Sequence, residues 1–171
     1  MTEGLKLNPA NKFGELSSTP DDNADNIVVR RYTEIGAVKG YGKIIVEARE
    51  GVILDARHIR YFVRLSAESP DEYPRHSHSI IQFEDIQKFT ESLDRLRSAS
   101  IDRIKFSFTE IEYNYEDTKI IVFNNANGKI MTSVQAGDIA INFPDVSALS
   151  QIKELILKAK SHIEMHRIDG S

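Results

Sequence analysis

Basic, histidine and phenylalanine side chains alternate with apolar ones from residue 58 to residue 65. Successive side chains of a β-strand point to opposite faces, so His58, Arg60, Phe62 and Arg64 would share one face. Cations can contact phosphates and a ring can stack on a base, and binding of single-stranded nucleic acid needs both. The pattern also fits a solvated strand face on which Phe62 packs beneath a loop or against a partner.

The sequence around this segment is locally basic, although the whole chain has a net charge of -4. Eight Lys or Arg residues stand against four acidic residues between positions 28 and 64. We predict a nucleic-acid-binding face made of Arg30, Lys43, Arg57, His58, Arg60, Phe62 and Arg64. The corresponding part of the second half should repel phosphate, because it carries Glu110, Glu112, Glu116 and Asp117.

Two histidine pairs have spacings that metal sites use. His76 and His78 stand two residues apart, and His162 and His166 stand four apart on a predicted helix. Further candidate ligands for the first pair are His58, Asp71 and Glu72. Ile163 follows His162 where a metalloprotease motif requires Glu, and histidines near a helix C-terminus are favoured by the helix dipole. We therefore expect no metal and no cofactor.

The motifs of common enzyme classes and of membrane segments are missing from the sequence. It has no cysteine, no nucleophile elbow and no glycine-rich phosphate loop between a strand and a helix. No apolar run approaches the ~20 residues that span a bilayer, and the first residues lack the pattern of a signal peptide. We predict a non-enzymatic cytoplasmic protein that does not enter a membrane.

An internal repeat relates the two halves of the chain. Thr33-Glu34-Ile35 and Lys43-Ile44-Ile45-Val46 return, in the same order and at the same spacing, as Thr109-Glu110-Ile111 and Lys119-Ile120-Ile121-Val122. The shared segments read as β-strands, so the repeat indicates a duplicated folding unit.

Turn residues and apolar spacing predict four strands and one helix in the first half. Glu50-Gly51 should close a hairpin, residues 66–78 should form a long loop, and an amphipathic helix should follow Asp85. The predicted strands begin at Ile27, Lys43, His58 and Ser79.

The second half predicts the same order of elements. Asn127-Gly128 is a hairpin turn because both residues tolerate positive φ, and a helix begins near Pro144. Asp145 corresponds to Asp85, and we interpret both as residues favoured by the positive end of a helix dipole. The predicted strands cover residues 104–113, 118–123, 129–134 and 137–143.

These elements predict an α+β fold with two ββββα repeats, in residues 26–100 and 101–168. Each antiparallel sheet should be covered by a helix, because one amphipathic helix can bury the apolar face of a four-stranded sheet. The two repeats should pack by pseudo-twofold symmetry as one compact domain. Residues 1–25, rich in Asn, Ser, Pro and Asp, should form a disordered arm.

The repeat, its Asn127-Gly128 hairpin and the segment from Gly137 to Phe143 that leads into a helix resemble the Pur-alpha-type domain, and more loosely the Whirly and positive-cofactor-type folds. The resemblance covers about residues 27 to 165. It implies binding of single-stranded DNA or RNA on a sheet surface. The alternative is a protein interaction or assembly module, such as a homodimer, with no nucleic-acid binding.

Overall fold

Two four-stranded antiparallel sheets, each followed by a helix, make up the structure, a computed structural model that describes residues 27–99 and 107–167. The first sheet contains, in order, β1 (Val28–Gly40), β2 (Gly42–Ile53), β3 (His58–Glu68) and β4 (His76–Gln82). The second contains β5 (Glu110–Tyr115), β6 (Thr118–Asn124), β7 (Ile130–Ala136) and β8 (Ile139–Phe143). Helix α1 (Ile86–Ser98) follows a 3-10 turn (Phe83–Asp85), and helix α2 (Ser147–His166) follows β8.

The predicted α+β class and the order of four strands and a helix in each half are confirmed. The predicted arm at residues 1–25 and the start of the strand predicted from residue 104 lie outside the described residues. The Asn127-Gly128 turn is where the sequence predicted it, between β6 and β7. Gly128 has a φ of +76°, and its N–H donates to the carbonyl of Asn125.

The repeated sequence segments lie in equivalent strands of the two sheets. Ile44 and Val46 of β2 are fully buried, and Ile120 and Val122 of β6 are buried in the same way. Alternation along a strand places Lys43 and Lys119, which precede these residues, on the face of each sheet that points away from the core. The apolar residues of the repeated segments therefore belong to the core.

Two boundaries in the first half differ from the prediction. Glu50-Gly51 is not a turn, because both residues pair with β1 and with β3 inside the longer strand β2. The chain reverses instead at residues 54–57, where Arg57 adopts a φ of +48°. The predicted long loop is also shorter, because β3 continues to Glu68 and pairs with His76 at the start of β4.

Helix α2 packs against the sheet of the other half, whereas α1 packs mainly against α2 and touches strands of both sheets. Helix α2 lies on β1 and β2, while α1 contacts β5, where the ring of Phe89 meets Tyr113 and Tyr115 edge-on with 5.6 Å between centroids. The apolar residues of both sheets and both helices form one continuous core. We expected each sheet to be covered by the helix of its own repeat. Amphipathic spacing defines the buried face of a helix but not the sheet that buries it.

Candidate nucleic-acid interface

The first sheet has one face in the core and one face directed away from both helices. Ile44, Val46, Val63 and Leu65 point into the core, so the residues that alternate with them form what we call the outer face. Residues directly paired across strands share a face. One row across β1 to β4 is Tyr32, Arg49, Phe62 and Gln82, and the next row is Glu34, Glu47, Arg64 and Ile80.

A bulge in β1 determines which of its residues reach the outer face. The pairing of β1 with β2 shifts by one residue between Glu34 and Gly36. Ile35, the extra residue, is half-buried and packs against the main core. The shift reverses the alternation, so Lys39 on one side of the bulge and Tyr32 on the other both point outward.

The outer face carries more positive than negative charge. Six Lys or Arg residues stand on it against three Glu residues, together with three histidines. The basic residues are Arg30, Lys39, Lys43, Arg49, Arg60 and Arg64. The acidic residues are Glu34, Glu47 and Glu68, and the histidines are His58, His76 and His78.

The structure brings most of the predicted site residues together. Six of the seven stand on the outer face, and Arg57 lies in the turn between β2 and β3 next to it. Lys43 forms an ion pair of 3.3 Å with Glu68, and Arg60 contacts the His58 ring at 3.5 Å. The outer-face members are Arg30, Lys43, His58, Arg60, Phe62 and Arg64.

Phe62 is positioned differently from the other predicted site residues. It is 8% exposed and forms a small apolar cluster with Ile53 and Ile80 on the outer side of the sheet. Val28 packs against this cluster. A base could not stack on the Phe62 ring without displacing these neighbours. Phe62 therefore packs among residues of its own sheet, whereas the alternative placed it beneath a loop or against a partner.

An exposed aromatic ring stands beside Phe62 in the same row. Tyr32 is 63% exposed, and the guanidinium carbon of Arg49 lies 4.5 Å from the centre of its ring. Such a cation–π contact leaves one ring face covered by the arginine. Tyr32 and Arg49 also lie at the rim of a cleft of about 410 Å³ on the helix side of the sheet, between β1, β2 and the end of α2.

A single carboxylate connects Arg49 to Arg64. The Oε2 atom of Glu47 accepts a hydrogen bond from Nε of Arg49 at 2.8 Å and forms ion pairs with Nη2 of Arg49 at 2.8 Å and with Nε of Arg64 at 3.0 Å. The Arg64 Nε also donates to the hydroxyl of Ser66 at 3.1 Å. Two cations therefore share the Glu47 carboxylate, while Glu34, which stands opposite Glu47 in the same row, forms no ion pair within the described residues.

The pKa of Arg64 reflects this crowding. Burial of the guanidinium and the positive charge of Arg49 lower the pKa of Arg64 from its ordinary value, while Glu47 raises it. The Arg64 side chain is 27% exposed, so its positive charge is partly withdrawn from water. An anion that approached Arg64 would supply the missing counter-charge.

Sequence reasoning missed Tyr32, Lys39 and the central role of Glu47. Period-two alternation from Arg30 would have placed Tyr32 on a face with Arg30 and Glu34. The register between strands, which places Tyr32 opposite Arg49 and Glu47 opposite Arg64, has no local signal in the sequence. The bulge that brings Lys39 to this face also has no local signal in the sequence.

The outer face of the second sheet has a different character. Glu110 and Glu112 are exposed on β5, and Lys119 forms an ion pair of 3.1 Å with Glu112. Ile121 and Phe123 are half-buried on the same face. This face lacks the surplus of cations that would attract phosphate.

The histidine pairs form no metal cluster within the described residues, where no group of three or more candidate ligands occurs. His76 lies 3.8 Å from the carboxylate of Glu68. The rings of His162 and His166 stack with centroids 4.3 Å apart, and Nδ1 of His166 lies 2.8 Å from the carbonyl oxygen of His162. Both pairs have local contacts of their own.

Neither described helix is long and apolar enough to cross a membrane. No model of a known protein family matches this chain, and no curated protein matches it. Function is therefore inferred from the geometry of the outer face.

Proposed function

We propose that the chain is a non-enzymatic protein that binds single-stranded nucleic acid on the outer face of its first sheet. One observation carries the proposal: beside the exposed ring of Tyr32, Arg49 and Arg64 share the single carboxylate of Glu47. Two arginines that share one ion-pair partner and an accessible ring therefore stand together. A nucleotide offers the matching pair of groups, a phosphate and a base.

Further cations on and beside this face are available for phosphate contacts. Within the described residues, Lys39 and Arg57 form no ion pair, and Arg60 has no carboxylate partner. The terminal nitrogens of Arg64 make no hydrogen bond within the same residues. Such groups can follow a flexible phosphate backbone without first breaking an internal ion pair.

The site favours single strands over duplexes. Stacking on Tyr32 requires a base that is splayed out of its own stack, which a single strand offers at little cost. The proposal includes cytoplasmic location, for which the absence of cysteine gives support.

The proposal keeps the resemblance to Pur-alpha-type and Whirly-type repeats, with a pseudo-twofold relation of the two units. What supports it is the order of four antiparallel strands and a helix in each half. Those families use sheet surfaces for single strands, and the outer face is a sheet surface that carries cations and an exposed ring.

A specific observation favours a second candidate function, assembly with another copy. The outer face of the second sheet presents Glu110 and Glu112, opposite in sign to the cations of the first sheet. In that case the cation-rich face of one molecule would meet the acidic face of another, and neither would bind nucleic acid.

Salt-dependent binding separates the two functions. Fluorescence anisotropy of labelled DNA and RNA oligonucleotides at ~50 mM salt, where phosphate contacts are strongest, should show binding that weakens as salt is raised. A matched duplex should bind less tightly. Absence of binding at this salt concentration, together with concentration-dependent self-association in sedimentation, would reject nucleic-acid binding in favour of assembly.

A further inference from the structure

We propose that Glu47 is a positioning residue that lets the outer face distinguish single-stranded nucleic acid from other polyanions. The inference rests on the proposed function and deepens it. By charge alone, an acidic residue should oppose phosphate binding. The inference instead gives Glu47 a favourable role in the selection of the ligand.

The contacts of Glu47 concentrate on one oxygen. Oε2 of Glu47 lies 2.8 Å from both Nε and Nη2 of Arg49 and 3.0 Å from Nε of Arg64. The Glu47 side chain is 11% exposed and that of Arg49 is 12% exposed, so this cluster is largely shielded from water. Charge-assisted bonds of this kind fix both the distance and the plane of a guanidinium.

The fixed arginines serve two different parts of a nucleotide. Arg49 is held over one face of the Tyr32 ring, which orients the ring for stacking. Arg64 is held through its Nε, and its terminal nitrogens are left for a phosphate. One carboxylate thus sets the position of a base-stacking group on β1 relative to a phosphate-binding group on β3. Holding both groups in place before binding lowers the entropy lost on binding.

Heparin provides the discriminating comparison because it is a polyanion without bases. It can use the cations of the outer face but not the Tyr32 ring. Loss of Glu47 would therefore affect the two ligands differently. Electrostatics alone predicts that removal of a negative charge strengthens the binding of both.

Glu34 offers a matched control for Glu47. It stands directly opposite Glu47 on β1, points to the same outer face, and is exposed. Within the described residues it forms no ion pair. Glu34→Gln and Glu47→Gln therefore remove the same charge from neighbouring positions, and only the second releases the arginines.

The test measures the affinities of these variants for a labelled single-stranded oligonucleotide and for heparin in the same buffer. Glu34→Gln should bind both ligands at least as tightly as the wild-type chain. Glu47→Gln should keep its affinity for heparin and lose at least about fivefold in affinity for the oligonucleotide, the lower end of the loss of one stacked base.

Two further variants cover the case in which Glu47→Gln does not fold. Glu47→Asp keeps the charge but shortens the side chain, and Arg49→Lys keeps the charge but removes the guanidinium fork. Both should lower the ratio of oligonucleotide to heparin affinity, while Glu34→Asp should not. Thermal unfolding identifies the folded variants.

The outcomes distinguish the two proposals. If the folded Glu47 variants show the same affinity ratio as the Glu34 controls, Glu47 contributes only its charge and the positioning role is wrong, while nucleic-acid binding stands. If the wild-type chain binds heparin but no oligonucleotide, the proposed function itself fails.

Discussion

The outer faces of the two sheets differ far more than their inner faces do. Ile44 and Val46 of the first sheet, like Ile120 and Val122 of the second, are buried in a common core. On the outside, the first sheet presents a cluster of arginines beside an exposed tyrosine, and the second presents exposed glutamates. A shared core restrains the inner residues of both repeats, whereas outer residues can change without disturbing the packing.

The largest expected difference between the two faces concerns stability. Phe62→Ala should lower the free energy of unfolding by about 3 kcal/mol, because it opens a cavity beside Ile53 and Ile80. Phe123→Ala, at a half-buried position of the second outer face, should cost less. Urea unfolding measures both values. Weaker oligonucleotide binding by Phe62→Ala with unchanged stability would return Phe62 to the stacking role.

Removal of the exposed ring should affect binding rather than stability. Tyr32→Ala should weaken oligonucleotide binding by about 1–3 kcal/mol, the contribution of one stacked base, and Tyr32→Phe should retain it. The midpoint of thermal unfolding should change little because Tyr32 is 63% exposed. Phe123→Ala is the control on the second face. An equal loss of affinity in that variant would show that both faces bind.

The cations of the first outer face should determine the salt dependence. In the variant Lys39→Gln/Arg60→Gln, the slope of log affinity against log salt should fall by about 1.4, or about 0.7 for each phosphate contact of a single strand. Anisotropy titrations at several salt concentrations give the slope. Lys119→Gln on the second face should leave it unchanged, and a similar fall there would contradict the contrast.

The smallest effect concerns the two aspartates at equivalent helix starts. The Asp145 carboxylate accepts the backbone N–H of Ser147 at 2.8 Å, whereas that of Asp85 accepts the hydroxyl of Tyr115 at 2.7 Å. Asp145→Ala should therefore cost about 1 kcal/mol through the loss of its hydrogen bond from Ser147 at the start of α2. Asp85→Ala should instead loosen the contact between the two halves.

A pH series tests the Asp145 assignment. The hydrogen bonds from Ser147 lower the pKa of Asp145 from its ordinary value. Because the pKa of Asp145 is lower in the folded state, its stabilisation is complete at a pH above the ordinary pKa. It is lost as the pH falls through the lower pKa of the folded state. Thermal unfolding of the wild-type chain and of Asp145→Ala should therefore converge in acid. A difference that persists there would show that the carboxylate charge is not the cause.

Local patterns in the sequence predicted the strands and helices. The contacts between strands depend on long-range pairing, which these patterns do not show. Alternation correctly placed Arg60, Phe62 and Arg64 on one face of β3. Alternation does not show whether a ring on that face is covered, so the burial of Phe62 beside Ile80 was missed. The position of Glu47 between two arginines depends on the register of β2 with β3, which the whole sheet determines.

The packing of α2 on the first sheet also bears on how such a chain folds. A half containing only residues 27–99 would keep its strands but lack α2, which covers β1 and β2. The separate halves should therefore fold poorly alone and should complement each other when mixed. Because one chain carries both halves, their association is intramolecular, and no dilution can reverse it.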